Sequence, residues 1–182
     1  MRVVSGELKG YNLKFPREPL VRPTAEKVKE AIFDVIQFNV KGKKFLDLFA
    51  GSGQIGIEAL SRGAKTVSFV DNYKDSIFTI KSNISRLNEN FLDKVNILKE
   101  DVFDFLNFNT GYFDIIFLDP PYGKDIIPKI LGKLSRILNY DGIIICEHSK
   151  NESLPETPDD LTLFKNKIYG QTAVSFYSKS SA

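Results

Sequence analysis

Asp119-Pro120-Pro121-Tyr122 combines a carboxylate, a stiff turn and an aromatic ring within four residues. Proline fixes φ, so the two prolines should aim the Asp119 carboxylate and the Pro120 carbonyl in the same direction. Two such acceptors beside an aromatic ring suit an exocyclic amine on a planar base, because each acceptor takes one N–H while Tyr122 stacks on the ring. Holding this weak nucleophile in place would supply much of the rate acceleration. We predict that Asp119, Pro120 and Tyr122 are catalytic; a structural turn with a capping Asp is the alternative.

A glycine-rich stretch, Gly51-Ser-Gly53-Gln-Ile-Gly56, is followed by Asp71 at the spacing typical of a loop that holds an adenosine-type cofactor. Glycine lets a ligand approach the backbone, and the acid can accept hydrogen bonds from two ribose hydroxyls. A plain tight turn is the alternative. Dinucleotides and S-adenosylmethionine both contain that ribose, so the motif alone leaves the cofactor open.

Two features favour S-adenosylmethionine over a dinucleotide. A dehydrogenase usually begins at its first strand, whereas residues 1–43 precede the first predicted strand here. Asp47 stands just before the glycine stretch, where a carboxylate would repel a pyrophosphate but suits an ammonium or sulfonium group, directly or through water. A nicotinamide oxidoreductase is therefore the weaker interpretation.

Strands and helices alternate from residue 44 onward, and the strands are nearly continuous apolar runs. This pattern predicts an α/β fold whose parallel sheet is covered on both faces. The predicted strands are Phe45–Phe49, Thr66–Val70, Val95–Leu98, Asp114–Leu118 and Gly142–Cys146, with a C-terminal hairpin of Leu161–Tyr169 and Thr172–Tyr177. The predicted helices are Gln54–Arg62, Lys74–Asn90, a short one ending near Leu106, and one from Ile126 to Leu138.

Ligands of such sheets bind beyond the carboxyl ends of the strands. An acid stands at each of these ends, although a helix cap or a plain loop position is the ordinary explanation for any single one. The acids are Asp47, Asp71, Asp101, Asp119 and Glu147. This edge of the sheet is the predicted site.

The N-terminal region is predicted to hold a small β-hairpin, from Met1–Val4 and Tyr11–Phe15, and then a helix capped by Thr24. Residues 1–45 contain 10 Lys/Arg and 5 Asp/Glu, whereas the remainder contains 15 and 18. A basic quarter with a balance of +5 on a body with a balance of −3 indicates a polyanionic partner. A solvated lysine-rich surface is the alternative explanation.

Composition excludes several classes of protein. One Cys and one His among 182 residues leave no disulfide framework and no multi-cysteine metal site. No apolar run approaches the roughly 18 residues of a membrane span, and no secretory signal is seen. We expect one cytoplasmic, monomeric, metal-free domain over residues 1–182, divided into an N-terminal extension (1–43) and a catalytic core (44–182). Cys146 is expected in the core and His148 on the surface.

The sequence resembles the class I S-adenosylmethionine-dependent methyltransferases, and more narrowly the RsmD family, which methylates the N2 amine of a guanine in 16S ribosomal RNA. The resemblance extends over nearly the whole chain. Its motifs are Met1–Gly6, Leu20–Thr24, Asp47–Gly53, Glu58–Ala64, Asp119–Tyr122 and Lys167–Thr172. It implies a Rossmann-like fold with a seven-stranded, mostly parallel sheet, and a 16S RNA or assembling small-subunit partner.

The resemblance also implies roles for individual residues. The turn around Gly51 and Gly53 would take the methionine end of the cofactor, Asp71 the ribose, and Asp101 with the Val102 backbone the adenine. Asp119 and Tyr122 would grip the guanine, and Arg22 and Thr24 would lie near cofactor and RNA. The complete set of expected cofactor contacts is Asp47, Phe49, Gly51, Ser52, Gly53, Asp71, Asn72, Asp101, Val102 and Thr24.

Two departures from the family pattern matter. The family more often has Glu at the position of Asp71, and the shorter acid can still reach a ribose. The family hairpin is usually richer in Arg and Lys than residues 7–12 here, which moves the expected phosphate contacts elsewhere. They are Arg17, Arg22, Lys27, Lys29, Lys43 and Lys44. Methylation of adenine N6 or cytosine N4 in DNA, and an inactive RNA-binding scaffold, are the alternative functions.

Overall fold

The computed structural model describes residues 1–16, 26–109 and 111–179. Three predicted site residues, Arg17, Arg22 and Thr24, lie outside the described residues, as does the predicted Thr24 cap. The helices are α1 (Glu26–Ile36), α2 (Gln54–Ser61), α3 (Lys74–Ile84), α4 (Glu89–Leu92), α5 (Val102–Phe108) and α6 (Ile126–Arg136). The strands are β1 (Lys44–Leu48), β2 (Thr66–Asp71), β3 (Val95–Lys99), β4 (Phe113–Leu118), β5 (Leu138–Ser149), β6 (Leu161–Tyr169) and β7 (Thr172–Lys179).

The seven strands form one sheet in the order β3-β2-β1-β4-β5-β7-β6. Strands β1 to β5 are mutually parallel, and β7 pairs antiparallel with both β5 and β6. The predicted Rossmann-like α/β fold with a C-terminal antiparallel hairpin is confirmed. The chain proceeds outward from β1 to β2 and β3 and then returns to place β4 on the other side of β1. This reversal is the switch point at which such folds bind ligands.

Alternating side chains of the strands build two cores, one on each face of the sheet. Phe45 of β1 belongs to the core shared with α1, α2 and α3, and its neighbour Leu46 belongs to the core shared with α5 and α6. Cys146 is fully buried in the second core, as expected from its apolar strand. Among the described residues, no helix is both long and apolar enough to cross a membrane.

Some predicted boundaries were wrong. The predicted N-terminal hairpin is present but short: Arg2 and Asn12 form an antiparallel bridge, and the Val3 and Leu13 N–H groups donate to the Tyr11 (2.9 Å) and Met1 (3.0 Å) carbonyls. The predicted helix from Lys74 to Asn90 is two helices, because Asn88, the residue before α4, has extended backbone angles (φ −63°, ψ 151°). Leu138, expected at the end of a helix, is the first residue of β5, where it pairs with Phe113.

Buried hydrogen bonds join the N-terminal segment to α2. The Glu58 carboxylate accepts the N–H groups of Val4 (2.8 Å) and Ser5 (3.0 Å) and also pairs with Arg62 (2.9 Å) and Lys29 (3.3 Å). The Lys29 ammonium donates to the Arg2 carbonyl as well (2.6 Å). Both Lys29 and Glu58 are fully buried. The prediction that Lys29 contacts RNA phosphate was therefore wrong: its side chain fixes the N-terminal segment against α2.

Candidate active site

The glycine loop leaves β1 at the switch point in a left-handed backbone conformation. Phe49, Gly51 and Gly53 have φ values of 56°, 55° and 76°. Glycine adopts such values at little cost, which explains two of the three glycines of the motif. The third has another reason: a Cβ on Gly56 would lie 2.2 Å from the Phe69 ring. Gly56 therefore lets α2 pack against β2.

Asp71, the last residue of β2, stabilises the conformation of this loop through hydrogen bonds. One carboxylate oxygen accepts the Gly51 N–H (2.8 Å) and the other accepts the Tyr73 N–H (2.8 Å). Burial raises the pKa of Asp71, and the interactions with the Tyr73 and Gly51 N–H groups and with the Ser76 side chain oppose that rise. A carboxylate offers about four acceptor positions, so acceptor capacity remains for a ligand hydroxyl. The acid of the sequence motif is therefore required for the structure of the loop, whether or not it also binds a ligand.

Asp47 lies beneath the loop and is buried. It accepts the Gly56 N–H at the start of α2 (2.9 Å). Burial raises its pKa well above the usual range, the Gly56 hydrogen bond opposes this, and the charge of Asp71 adds to it. Ser52 is also buried, and its carbonyl accepts the Asn83 side-chain N–H (3.1 Å).

The end of β3 contributes Asp101, which caps α5 by accepting the Phe103 N–H (2.8 Å). Its second oxygen lies 3.4 Å from the Asn72 amide nitrogen, so the residues following β2 and β3 meet. Val102 is buried directly beyond the cap. The predicted cofactor residues on β1, β2 and β3 therefore occupy one continuous edge of the sheet.

Asp119 follows β4 beside the glycine loop, because Leu118 is in register with Leu48 of β1. Its carboxylate is half-buried. Burial raises its pKa well above the usual range, and the charges of Glu147 and Asp47 raise it further. This surplus of negative charge suits a cationic ligand. Among the described residues no cluster of Asp, Glu, His or Cys has a metal-binding arrangement.

Tyr122 completes the predicted catalytic turn, in which Pro120 is buried. Tyr122 is 44% exposed and lies at the surface of this edge. Its hydroxyl lies 3.4 Å from the hydroxyl of Thr172 at the start of β7. The C-terminal hairpin therefore reaches the edge that carries Asp119, a juxtaposition that the sequence motif Lys167–Thr172 alone did not reveal.

Two predicted phosphate contacts lie away from this edge. Lys44 is the first residue of β1 and Lys43 precedes it, so both occupy the amino edge of the sheet, opposite the glycine loop. Lys43 also pairs with Asp114 there (3.9 Å). Lys43 and Lys44 therefore lie away from the predicted pocket, and their contact with RNA stays a prediction. Lys27 is exposed on α1, and its role stays a prediction.

His148 was expected on the surface and is buried. Its Nδ1 donates to the Ser149 carbonyl (2.9 Å), and its Nε2 accepts the Ser175 hydroxyl (2.9 Å) on β7. Burial lowers its pKa, so the ring is neutral near pH 7. The residue links β5 to β7. An isolated His at a strand end carries no signal that distinguishes this role from a surface position.

A sheet with this strand order, a left-handed glycine loop and acids at its carboxyl edge defines the class I methyltransferase fold. The chain belongs to the family described as "Conserved hypothetical protein 95", which matches residues 1–178. A Bacillus subtilis protein, YlbH, provisionally named an rRNA methyltransferase, is 41% identical over 185 residues, covering 98% of this chain and 99% of its own.

Two further comparisons agree with this assignment. "Ribosomal RNA small subunit methyltransferase D" of Buchnera aphidicola is 33% identical over 178 residues, covering 96% of this chain and 91% of its own. The solved structure of Escherichia coli yhhF superimposes with a TM-score of 0.87 at 24% identity, covering 100% of this chain and 99% of that chain. At that identity the structure supports a shared fold.

Proposed function

We propose that this protein transfers a methyl group from S-adenosylmethionine to the exocyclic N2 amine of a guanine in small-subunit ribosomal RNA. The observation that carries the proposal is Asp119, held beside the glycine loop and followed by the buried Pro120 and the exposed Tyr122. The methyltransferase names of the relatives support the reaction class, and the name of the Buchnera relative supports the RNA.

The residues of the carboxyl edge fit S-adenosylmethionine. The left-handed Gly51 and Gly53 give a ligand access to backbone groups, and Asp71 retains lone pairs for ribose hydroxyls. The raised pKa values of Asp47 and Asp119 indicate carboxylates in surplus, which a sulfonium or ammonium group would neutralise. When bound, the cofactor supplies an electrophilic methyl group on a positively charged sulfur.

The chain's own residues would orient and activate the amine. The Asp119 carboxylate and the Pro120 carbonyl each accept one N–H of the amine, so its nitrogen lone pair points toward the methyl carbon. On methylation the nitrogen would lose one proton, which the Asp119 carboxylate would accept and pass to water. The raised pKa of Asp119 makes it a better base than an exposed carboxylate.

The target guanine must leave its stack to reach Asp119, which costs about a few kcal/mol and less in a loop. Single-stranded or loop RNA is the class of target that offers an unstacked base. The exposed Tyr122 would stack on the base and recover part of that cost. Phosphate contacts from Lys27 and from the segment containing Arg17 and Arg22 would hold the RNA without reading its sequence.

The test is incubation with tritiated S-adenosylmethionine and with undermethylated small ribosomal subunits, free 16S RNA or DNA, followed by nucleoside analysis. We expect label in N2-methylguanosine. Label in N6-methyladenine or N4-methylcytosine of DNA would redirect the proposal to a DNA enzyme. Binding of RNA without label in any nucleoside would favour the inactive scaffold.

A further inference from the structure

Asn83 occupies a position that no part of the proposed mechanism explains. It lies on α3 and is fully buried. All of its side-chain polar groups are engaged: the oxygen accepts the Lys14 N–H (2.9 Å), and the nitrogen donates to the carbonyls of Lys14 (3.0 Å) and Ser52 (3.1 Å). Its backbone carbonyl accepts the Tyr11 hydroxyl (2.8 Å). One side chain therefore joins three segments that are distant in sequence.

Two of these segments carry the proposed function. Ser52 is the middle residue between Gly51 and Gly53, so the Asn83 amide fixes the orientation of a peptide unit within the glycine loop. Lys14 leads into residues 17–25, where Arg17 and Arg22 are predicted to contact RNA. Asn83 grips both backbone groups of Lys14, as a neighbouring strand residue would. The chain leading to the predicted RNA contacts is thus tied to the glycine loop through one amide.

Buried amides of this kind are difficult to replace. Removing one partner of a buried hydrogen bond leaves the other partner buried and unsatisfied, which is unfavourable. Loss of the Asn83 side chain would release three backbone groups at once, two on Lys14 and one on Ser52. The start of the N-terminal segment would keep its contacts with Glu58 and Ser61 on α2. Tyr11 and Lys14 would keep their side-chain hydrogen bonds to the Asn83 carbonyl and the Ser82 hydroxyl, so the release would concern the backbone of Lys14.

We propose that Asn83 is a positioning residue that couples the glycine loop to the N-terminal segment, so that cofactor binding and ordering of this segment favour each other. This inference rests on the proposed function, because it takes the glycine loop as the cofactor site. A ligand that holds the Ser52 peptide unit in its bound orientation would strengthen the Asn83 clamp on Lys14. By linkage, a well-seated N-terminal segment would raise cofactor affinity by the same factor.

The test combines calorimetry with S-adenosylhomocysteine and limited trypsin digestion, which can cut after Lys14. In the natural protein we expect S-adenosylhomocysteine to bind and to slow cleavage at Lys14. In Asn83→Leu, which keeps the side-chain size without the amide, we expect about tenfold weaker affinity and no ligand protection at Lys14. Affinity within twofold together with intact protection in that variant would overturn the inference while leaving the proposed function standing.

Matched variants distinguish loss of the coupling between the glycine loop and the N-terminal segment from a general loss of stability. Tyr11→Phe removes only the hydroxyl on the Asn83 carbonyl, and we expect a smaller loss of affinity, about threefold, in a fully folded protein. Asn88→Ala removes an exposed amide that makes no cap hydrogen bond in α4 and should change nothing. Lys14→Ala keeps the backbone clamp and should keep the affinity. If Asn88→Ala or Lys14→Ala lost as much affinity for S-adenosylhomocysteine as Asn83→Leu, the inference would be overturned. No binding by the natural protein would overturn the inference and the proposed cofactor together.

Discussion

An aspartate lies at each end of strand β4: Asp114 near its start and Asp119 directly after its last residue. The charged groups around the two aspartates have opposite signs. At the amino edge, Asp114 accepts the Lys44 N–H (2.8 Å) and the Asn139 side-chain N–H (2.8 Å), and Lys43 lies nearby. At the carboxyl edge, Asp119 faces the charges of Glu147 and Asp47, and its pKa is raised. The amino-edge acid is neutralised by its own protein. The carboxyl-edge acid is left to be neutralised by a cationic ligand.

This difference identifies the working edge of the sheet independently of the glycine motif. A carboxylate that is half-buried beside other carboxylates costs stability, and such a cost persists in proteins mainly where function requires it. The same edge holds the left-handed Phe49, Gly51 and Gly53. Replacing an acid at the carboxyl edge should therefore change activity more than replacing one at the amino edge, and the two replacements should change stability in opposite directions.

The largest difference is expected in catalysis. Asp119→Asn keeps the shape of the side chain, but its amide is uncharged, is a weaker hydrogen-bond acceptor than a carboxylate and cannot take up the proton that the amine releases. Misplacing a reacting group costs roughly 10²-fold or more, and we expect at least that loss in kcat for methyl transfer. Asp114→Asn on the same strand is the control, and it should keep nearly full kcat. Equal loss in the two variants would remove the assigned role of Asp119.

The second largest effect is expected in cofactor affinity, which should depend on Asp71. Asp71→Ala removes the acceptor of the Gly51 and Tyr73 N–H groups and of the proposed ribose contacts. Hydrogen bonds to charged groups contribute about 1.5–3 kcal/mol each, so we expect S-adenosylhomocysteine to bind about 10- to 100-fold more weakly by calorimetry. Asp75→Ala, an exposed acid in the first turn of α3, should leave the affinity unchanged. Unaltered binding by Asp71→Ala would contradict the assigned cofactor site.

Stability should move in opposite directions at the two edges. The folded-state pKa of Asp119 is raised, so the folded protein holds a proton more tightly than the unfolded chain, and ionisation of Asp119 lowers stability as the pH rises. Asp119→Asn should therefore be more stable than the natural protein at neutral pH. The gain should disappear as the pH falls below the ordinary carboxyl range. Asp114→Asn should be less stable than the natural protein at neutral pH. Thermal unfolding from about pH 3 to pH 8 measures both variants, and an Asp119→Asn gain in stability that grows toward acid pH would contradict the expected sign.

The sequence predicted much of this edge because its signals are local. Apolar strands followed by acids, and glycines at fixed spacing, depend on neighbours in the chain, and the structure brings Asp47, Asp71, Asp101 and Asp119 to one edge as expected. Residues whose roles depend on distant partners were missed or misread. Lys29 is charged like an RNA contact, yet Glu58, 29 residues away in sequence, buries it. Asn83 has no local pattern at all, because its partners are Lys14 and Ser52.

The smallest expected effect concerns the basic residues, and it tests where RNA approaches the sheet. Lys27→Glu places a negative charge on exposed α1, next to the segment that holds Arg17 and Arg22, and should raise the KM for RNA several-fold without changing kcat. Lys43→Glu makes the same change of charge at the amino edge, where it adds a like charge beside Asp114. Because that edge lies away from Asp119, the KM of Lys43→Glu for RNA should stay within twofold of the natural value.

Repeating both assays at raised salt should reduce the effect of Lys27→Glu on KM, since phosphate contacts weaken with ionic strength. A larger KM effect at Lys43 than at Lys27 would place the RNA at the other edge of the sheet.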